Sequence, residues 1–242
     1  MITTSAFVVE FLKLFLFLHL HWGVLAGGAV LLNKLCKLPA ELFRKMLHFA
    51  AVFAIIPIVL PATTWATSAA VCIAFALESY LGARFSNMQK EIGMKERSDG
   101  EQQRSMLLLF GTYLVLILIG WGALGQQWIP VLSVVAWGVG DAFAALVGKK
   151  FGRHKIQGKW IEGKKSIEGT LAMFATSFAA TFLLYRHHTI ITNPALTVLV
   201  CFWIALFACI TELLSRKGMD TVFCPLSSML GLMILNFAAG GI

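Results

Sequence analysis

Six ionisable side chains interrupt or border long apolar runs: His48, Glu78, Asp141, Glu168, Glu212 and Asp220. Such groups are expensive in hydrocarbon, so their positions point to function before any other feature of the chain. Asp141 sits about two turns inside its apolar segment, roughly 10 Å from the adjoining loop. At that depth water does not reach it easily, and a cation, a proton or a bound ligand must offset its charge. Glu10 and Glu78 have a simpler reading, as acids near helix ends that pair with a loop lysine or reach to the interface. Together the six groups lie at one depth on six helices, which in a compact bundle makes a pocket.

The densest chemistry runs from Gly138 to Gly169. It holds Gly138-Val-Gly140-Asp141, then Gly148-Lys-Lys-Phe-Gly152-Arg153-His154-Lys155, then Gly163-Lys164-Lys165-Ser166-Ile-Glu168-Gly169. This pattern suits a polyphosphate. Glycines let backbone N–H groups approach phosphate oxygens, lysines and Arg153 neutralise them, and the N-terminus of the following helix, with Ser166 as its cap, adds its dipole. A carboxylate such as Glu168 beside that anion site repels phosphate unless a divalent ion stands between them, so Asp141 and Glu168 imply Mg2+. Residues 158–166 miss a Walker A pattern by one position, Lys165 standing where Ser or Thr is required, and the chain lacks the strand that such a loop follows. On the second apolar segment Glu41, Arg44, Lys45 and His48 fall three and four apart, along one helical face at the membrane surface. An ion-pair stripe explains Glu41 and Lys45. His48 in an apolar run fits a buried core histidine as well as a functional one.

The elements that carry these residues follow from composition. Of 242 residues, 58% are hydrophobic and 13% charged, and the mean hydropathy is +0.79, which places the chain in lipid. Apolar runs near 6–32, 43–60, 63–82, 106–124, 128–148, 168–185, 195–214 and 221–239 are each long enough to cross a hydrocarbon core of about 30 Å as a helix. The expected fold is an all-α transmembrane bundle of seven to eight helices, with no repeat or separable soluble domain. The first run carries Glu10 and Lys13 and lacks a small-residue cleavage site, so it reads as a retained helix. Gly23 and Gly27, four apart within it, suit close helix approach.

Eighteen of the twenty lysines and arginines fall in alternate loops, after segments one, three, five and seven. Basic loops stay on the cytosolic side, so both termini are expected outside and the net charge of +8 forms a one-sided field toward the cytosol. Topology alone explains that field, and anionic lipid headgroups are attracted to it. No nucleic-acid motif accompanies it. The loop 83–105 mixes acids and bases as a solvated linker. Five scattered cysteines support neither a disulfide framework nor a zinc site.

Glu41-x-x-Arg44-Lys45-x-x-His48, Gly140-Asp141-Ala142 with Ala145 and Gly148, Phe151-Gly152-Arg153, and Lys164-Lys165-Ser166-x-Glu168-Gly169 together resemble the lipid-alcohol kinases, a family that includes dolichol, phytol and farnesol kinases and the CTP-dependent diacylglycerol kinase. The likeness extends from about residue 41 to 226, where Glu212 and Gly218-Met219-Asp220-Thr221-Val222-x-x-Pro225 resemble that family's final motif, with Thr221 in place of its usual Asn. The resemblance implies transfer of the γ-phosphate of CTP to a long-chain alcohol at the cytosolic leaflet. It further implies Asp141, Glu168 and Glu212 as Mg2+ ligands. Lys164, Lys165, Arg153, Lys155, Ser166 and the glycines 148, 152, 163 and 169 would bind the nucleotide, with Arg44 or Lys45 steadying the transferring group. His48 or Asp220 would accept the alcohol proton. CTP, the lipid alcohol and membrane lipids are the expected partners, nucleic acid is not, and an oligomer is compatible with every feature. The membrane is a prokaryotic plasma membrane or one of the endoplasmic-reticulum type.

Two other readings share some of these residues. The Asp and Lys-Lys-Ser-x-Glu-Gly parts also look like phosphatidate cytidylyltransferase, whose C-terminal signature has no match here. Deep carboxylates also suit a cation- or proton-coupled transporter, but the outer half of the membrane holds few polar groups beyond Glu10, Lys13, His19 and His21.

Overall fold

The computed structural model describes residues 3–85, 101–159, 161, 163, 165–188, 193–216 and 218–238. Helix dominates them, and their one departure toward sheet is an isolated antiparallel bridge between Lys155 and Ser166. The helices are α1 (Thr4–Cys36), α2 (Ala40–Phe53), α3 (Ile55–Val59), α4 (Trp65–Phe85), α5 (Glu101–Leu116, continued by π-helical turns over Ile117–Ala123), α6 (Trp128–Phe151), α7 (Ile167–His188), α8 (Pro194–Leu214) and α9 (Asp220–Ala238).

Among the described residues seven stretches are long and apolar enough to cross a membrane. The expected eighth, α9, is a helix over Asp220–Ala238, and its described apolar stretch, Asp220–Ile234, is shorter than those seven. Most of the 83–105 linker, with Lys90, Lys95 and Arg97, lies outside the described residues.

The chain folds as two compact units, Met1–Gln127 and Trp128–Ile242. In the first, α1 packs against α2, α3 and α4, and α4 against α5. The second apolar segment is broken at Ala54, three residues before Pro57, whose missing N–H and ring disfavour a straight helix. There the Ala54 N–H turns to Ala51 O at 3.2 Å. The carbonyls loosened by the break find side chains: His21 Nε2 lies 2.9 Å from Ala50 O, and the Tyr113 hydroxyl donates to Ala51 O and Val52 O at 2.9 and 3.1 Å. Glu10 and Glu78, expected to pair with a loop lysine or reach to the interface, meet other partners among the described residues. Glu10 accepts the Thr63 backbone N–H and the hydroxyls of Thr63 and Thr67, at 2.9 and 3.2 Å for the hydroxyls, tying α1 to the start of α4. Glu78 meets His19 Nε2 at 3.0 Å. A Cβ at Gly23 or Gly27 would touch nothing within 4 Å, so among the described residues neither glycine stands at a close helix approach.

In the second unit α6 is the common neighbour of α7, α8 and α9. It is buried continuously from Ile129 to Gly138, which only an apolar sequence such as this one tolerates.

Candidate active site

Gly140 sets the site's geometry. A Cβ there would overlap Ser177 Oγ and come within 2.9 Å of Met173 Cγ, so glycine is what lets α6 and α7 touch. Asp141 follows directly, half-buried on α6. Glu212 stands in the last turn of α8, buried, and Asp220 opens α9, where its charge complements the helix dipole. The Asp141 and Asp220 carboxylates both act electrostatically on Glu212, and all three act on Cys224, one turn into α9. Lys165, just ahead of α7, closes the group: its ammonium donates to the Glu212 carbonyl at 3.0 Å and forms an ion pair with the Glu212 carboxylate. The middle of α6, the end of α8, the start of α9 and one loop thus bring three acids and a lysine together.

The connection between α6 and α7 is a hairpin. Its arms are joined by Ile156 N–H to Lys165 O and Ile167 N–H to His154 O, both at 3.0 Å. Ser166 caps α7 by accepting the Gly169 N–H at 3.2 Å. Gly148, Gly152 and Gly169 crowd around this serine: a Cβ at Gly152 would lie 2.6 Å from Ser166 Oγ, and one at Gly169 would lie 2.9 Å from Ala144 O. Close packing of the hairpin root therefore requires these three glycines. Gly163, near the tip, has open space around it. Arg153 and Lys155 are exposed on the first arm, and the Arg216 guanidinium donates to Lys159 O, holding the tip from the α8–α9 loop.

Two expected roles meet different partners. Glu168, read as a metal ligand, accepts the backbone N–H groups of Arg153 and His154, both at 3.2 Å, and the His154 ring Nδ1 at 2.7 Å. Lys165, read as a phosphate contact, is engaged with Glu212. Among the described residues no three His, Cys, Asp or Glu side chains form a metal-binding group. Lys164 lies outside the described residues.

Arg44, Lys45 and His48 belong to α2 of the first unit. Arg44 pairs with Glu41 one turn back, Lys45 is buried with 3% of its surface exposed, and the half-buried His48 ring lies edge-on to Phe49 at 6.3 Å. Sequence reasoning missed the His154–Glu168 and Lys165–Glu212 pairings. The first has a weak signal, a histidine two residues after Gly152 in a loop that must return to α7. The second has none, because periodicity relates residues within a helix and not between helices.

No family model matches the chain, and no solved structure matches it. Curated relatives do. A phytol kinase of Synechocystis sp. is 30% identical over 214 residues, 87% of this chain and 86% of the relative. A dolichol kinase of Saccharomyces cerevisiae is 27% identical over 67% of this chain, and one of Schizosaccharomyces pombe is 27% identical over 54%. These matches cover 31% and 26% of the two yeast proteins. With seven apolar helices of spanning length among the described residues and a likeness to a phytol kinase over most of both chains, this multi-pass membrane protein belongs to the polyprenol and lipid-alcohol kinase family.

Proposed function

We propose that the protein transfers the γ-phosphate of CTP to a membrane isoprenoid alcohol, of phytol, farnesol or dolichol type, or to diacylglycerol, at the cytosolic face. The observation that carries this reading is the convergence of Asp141, Lys165, Glu212 and Asp220 beside a basic hairpin. Near-complete coverage of a relative named phytol kinase makes an isoprenoid alcohol the first acceptor to test. The concentration of basic residues in alternate loops supports the cytosolic face.

Phosphoryl transfer asks the protein for alignment and charge neutralisation more than for covalent chemistry. Carboxylate oxygens are the hard donors Mg2+ prefers, and in nucleotide sites that ion takes one or two carboxylates and completes its shell with water and phosphate oxygens. Asp141, with Glu212 and Asp220 in its neighbourhood, fits that requirement. Bound there, Mg2+ would neutralise the phosphate charge. Arg153, Lys155 and Lys164 would grip the phosphates, while Lys165 holds the Glu212 carboxylate in place. As the alcohol oxygen bonds to the γ-phosphorus and the bond to the CDP oxygen breaks, Asp220 would take the hydroxyl proton. The alcohol's apolar tail stays in the bilayer, so the substrate needs no soluble carrier.

The test is an assay in proteoliposomes with γ-labelled CTP, Mg2+ and a panel of phytol, farnesol, dolichol and diacylglycerol. Label should enter an extracted lipid, and Asp141→Asn should lower the rate about 1000-fold in a protein that still folds. No labelled lipid from any acceptor would overturn the reading, and an Asp141→Asn rate equal to wild type would remove Asp141 from it.

A further inference from the structure

We infer that Glu168 is a positioning residue: it latches the root of the α6–α7 hairpin to the first turn of α7 and so aims Arg153 and Lys155, and the metal requirement does not run through it. That these two side chains meet a nucleotide rests on the proposed kinase reading. The latch itself rests on geometry.

Glu168 Oε1 accepts three N–H groups, the backbone amides of Arg153 and His154 at 3.2 Å and the His154 ring Nδ1 at 2.7 Å, while Oε2 takes a longer share of the His154 amide at 3.4 Å. A carboxylate oxygen so supplied has its lone pairs directed at donors, and a cation placed there would face the same positively polarised hydrogens. The carboxylate also stands in the first turn of α7, where the helix dipole favours a negative charge without any metal. Oε1 is therefore committed to the hairpin, and Oε2 carries only the longer contact to the His154 amide.

The consequence follows from where the bonds fall. The bridge between Lys155 and Ser166 fixes the two arms against each other, and Arg216 fixes the tip through Lys159 O. The first arm leaves α6 at Gly152, which packs too closely against Gly148 O and Ser166 Oγ to carry a side chain. Glu168 binds the next two amides, alongside the backbone bond from the Ile167 N–H to His154 O, and the side chains of Arg153 and Lys155 project from the backbone these bonds hold.

The experiment uses the full-length protein in nanodiscs carrying Glu168→Gln, which keeps the size of the side chain but loses its charge. Hydrogen exchange at the Arg153 and His154 amides should quicken about tenfold, as expected when charge-assisted bonds are replaced by a weaker acceptor. With CTP as the nucleotide, KM should rise about tenfold with a smaller change in kcat, and the Mg2+ concentration for half-maximal rate should stay at its wild-type value. His154→Ala, which spares both backbone bonds, should give a smaller rise in each. Unchanged exchange at the two amides would overturn the latch, and a raised Mg2+ requirement with unchanged nucleotide KM would return Glu168 to the metal. A wild-type protein that transfers no phosphate from CTP fails the kinase reading separately, and leaves the exchange result to decide the latch.

Discussion

Glu212 keeps 5% of its surface exposed, and the Lys165 ammonium meets its carboxylate. A charge so placed depends on its partner, because removing one member of a buried pair leaves the other without compensation. Lys165→Met should therefore destabilise the protein by about 3–5 kcal/mol, seen as a lowered melting temperature in detergent. The double variant Lys165→Met with Glu212→Gln should recover most of the stability and none of the activity. Recovery of both would make the pair purely structural. Much at this scale is legible in the sequence: the depth of Asp141 marks it as functional, and Ser166 announces itself as a cap. The partner of Lys165 is not legible, since it lies 47 residues away and no local pattern encodes contacts between helix ends. Glu10 and Glu78 went to threonines and a histidine for the same reason. Partners across helices are chosen by packing.

At the scale of the element, glycine has opposite meanings in α1 and α6. A Cβ at Gly140 would collide with Ser177 and Met173 of α7, whereas one at Gly27 would meet nothing within 4 Å. Gly140→Ala should lower stability by about 1–3 kcal/mol through forced separation of α6 and α7, and Gly27→Ala should leave the melting temperature at its wild-type value. Equal effects would mean that α1 uses its glycines against a partner. Spacing favoured Gly23 and Gly27, because four-residue periodicity is visible in a sequence and the neighbour that gives it meaning is not. Element limits were more legible. Each expected apolar run falls on helix to within about five residues, the second on two helices, since a segment in hydrocarbon must satisfy its own backbone groups. The break at Ala54 was missed, although Pro57 is its visible cause.

For the whole molecule, the apolar composition predicts a membrane bundle, and the described residues form one. The division into two compact units was not legible, because the short turn at 124–127 where they divide carries no signal that sets it apart from the other connections. Sidedness is accessible through a native probe: Cys36, ending α1 beside the first basic loop, is exposed, while Cys72, Cys201, Cys209 and Cys224 are buried. A membrane-impermeant maleimide should label Cys36 in inside-out vesicles and not in right-side-out ones, and the reverse would place the basic loops outside. The central claim, that phosphate passes from CTP to a lipid alcohol, is tested most directly by the position of the label. Reconstituted protein is given the isoprenoid alcohol with either α-labelled or γ-labelled CTP. Label should appear in the extracted lipid from γ-labelled CTP alone, with the α-label remaining on CDP. Lipid labelled from α-labelled CTP would show cytidylyl transfer, and contradict it.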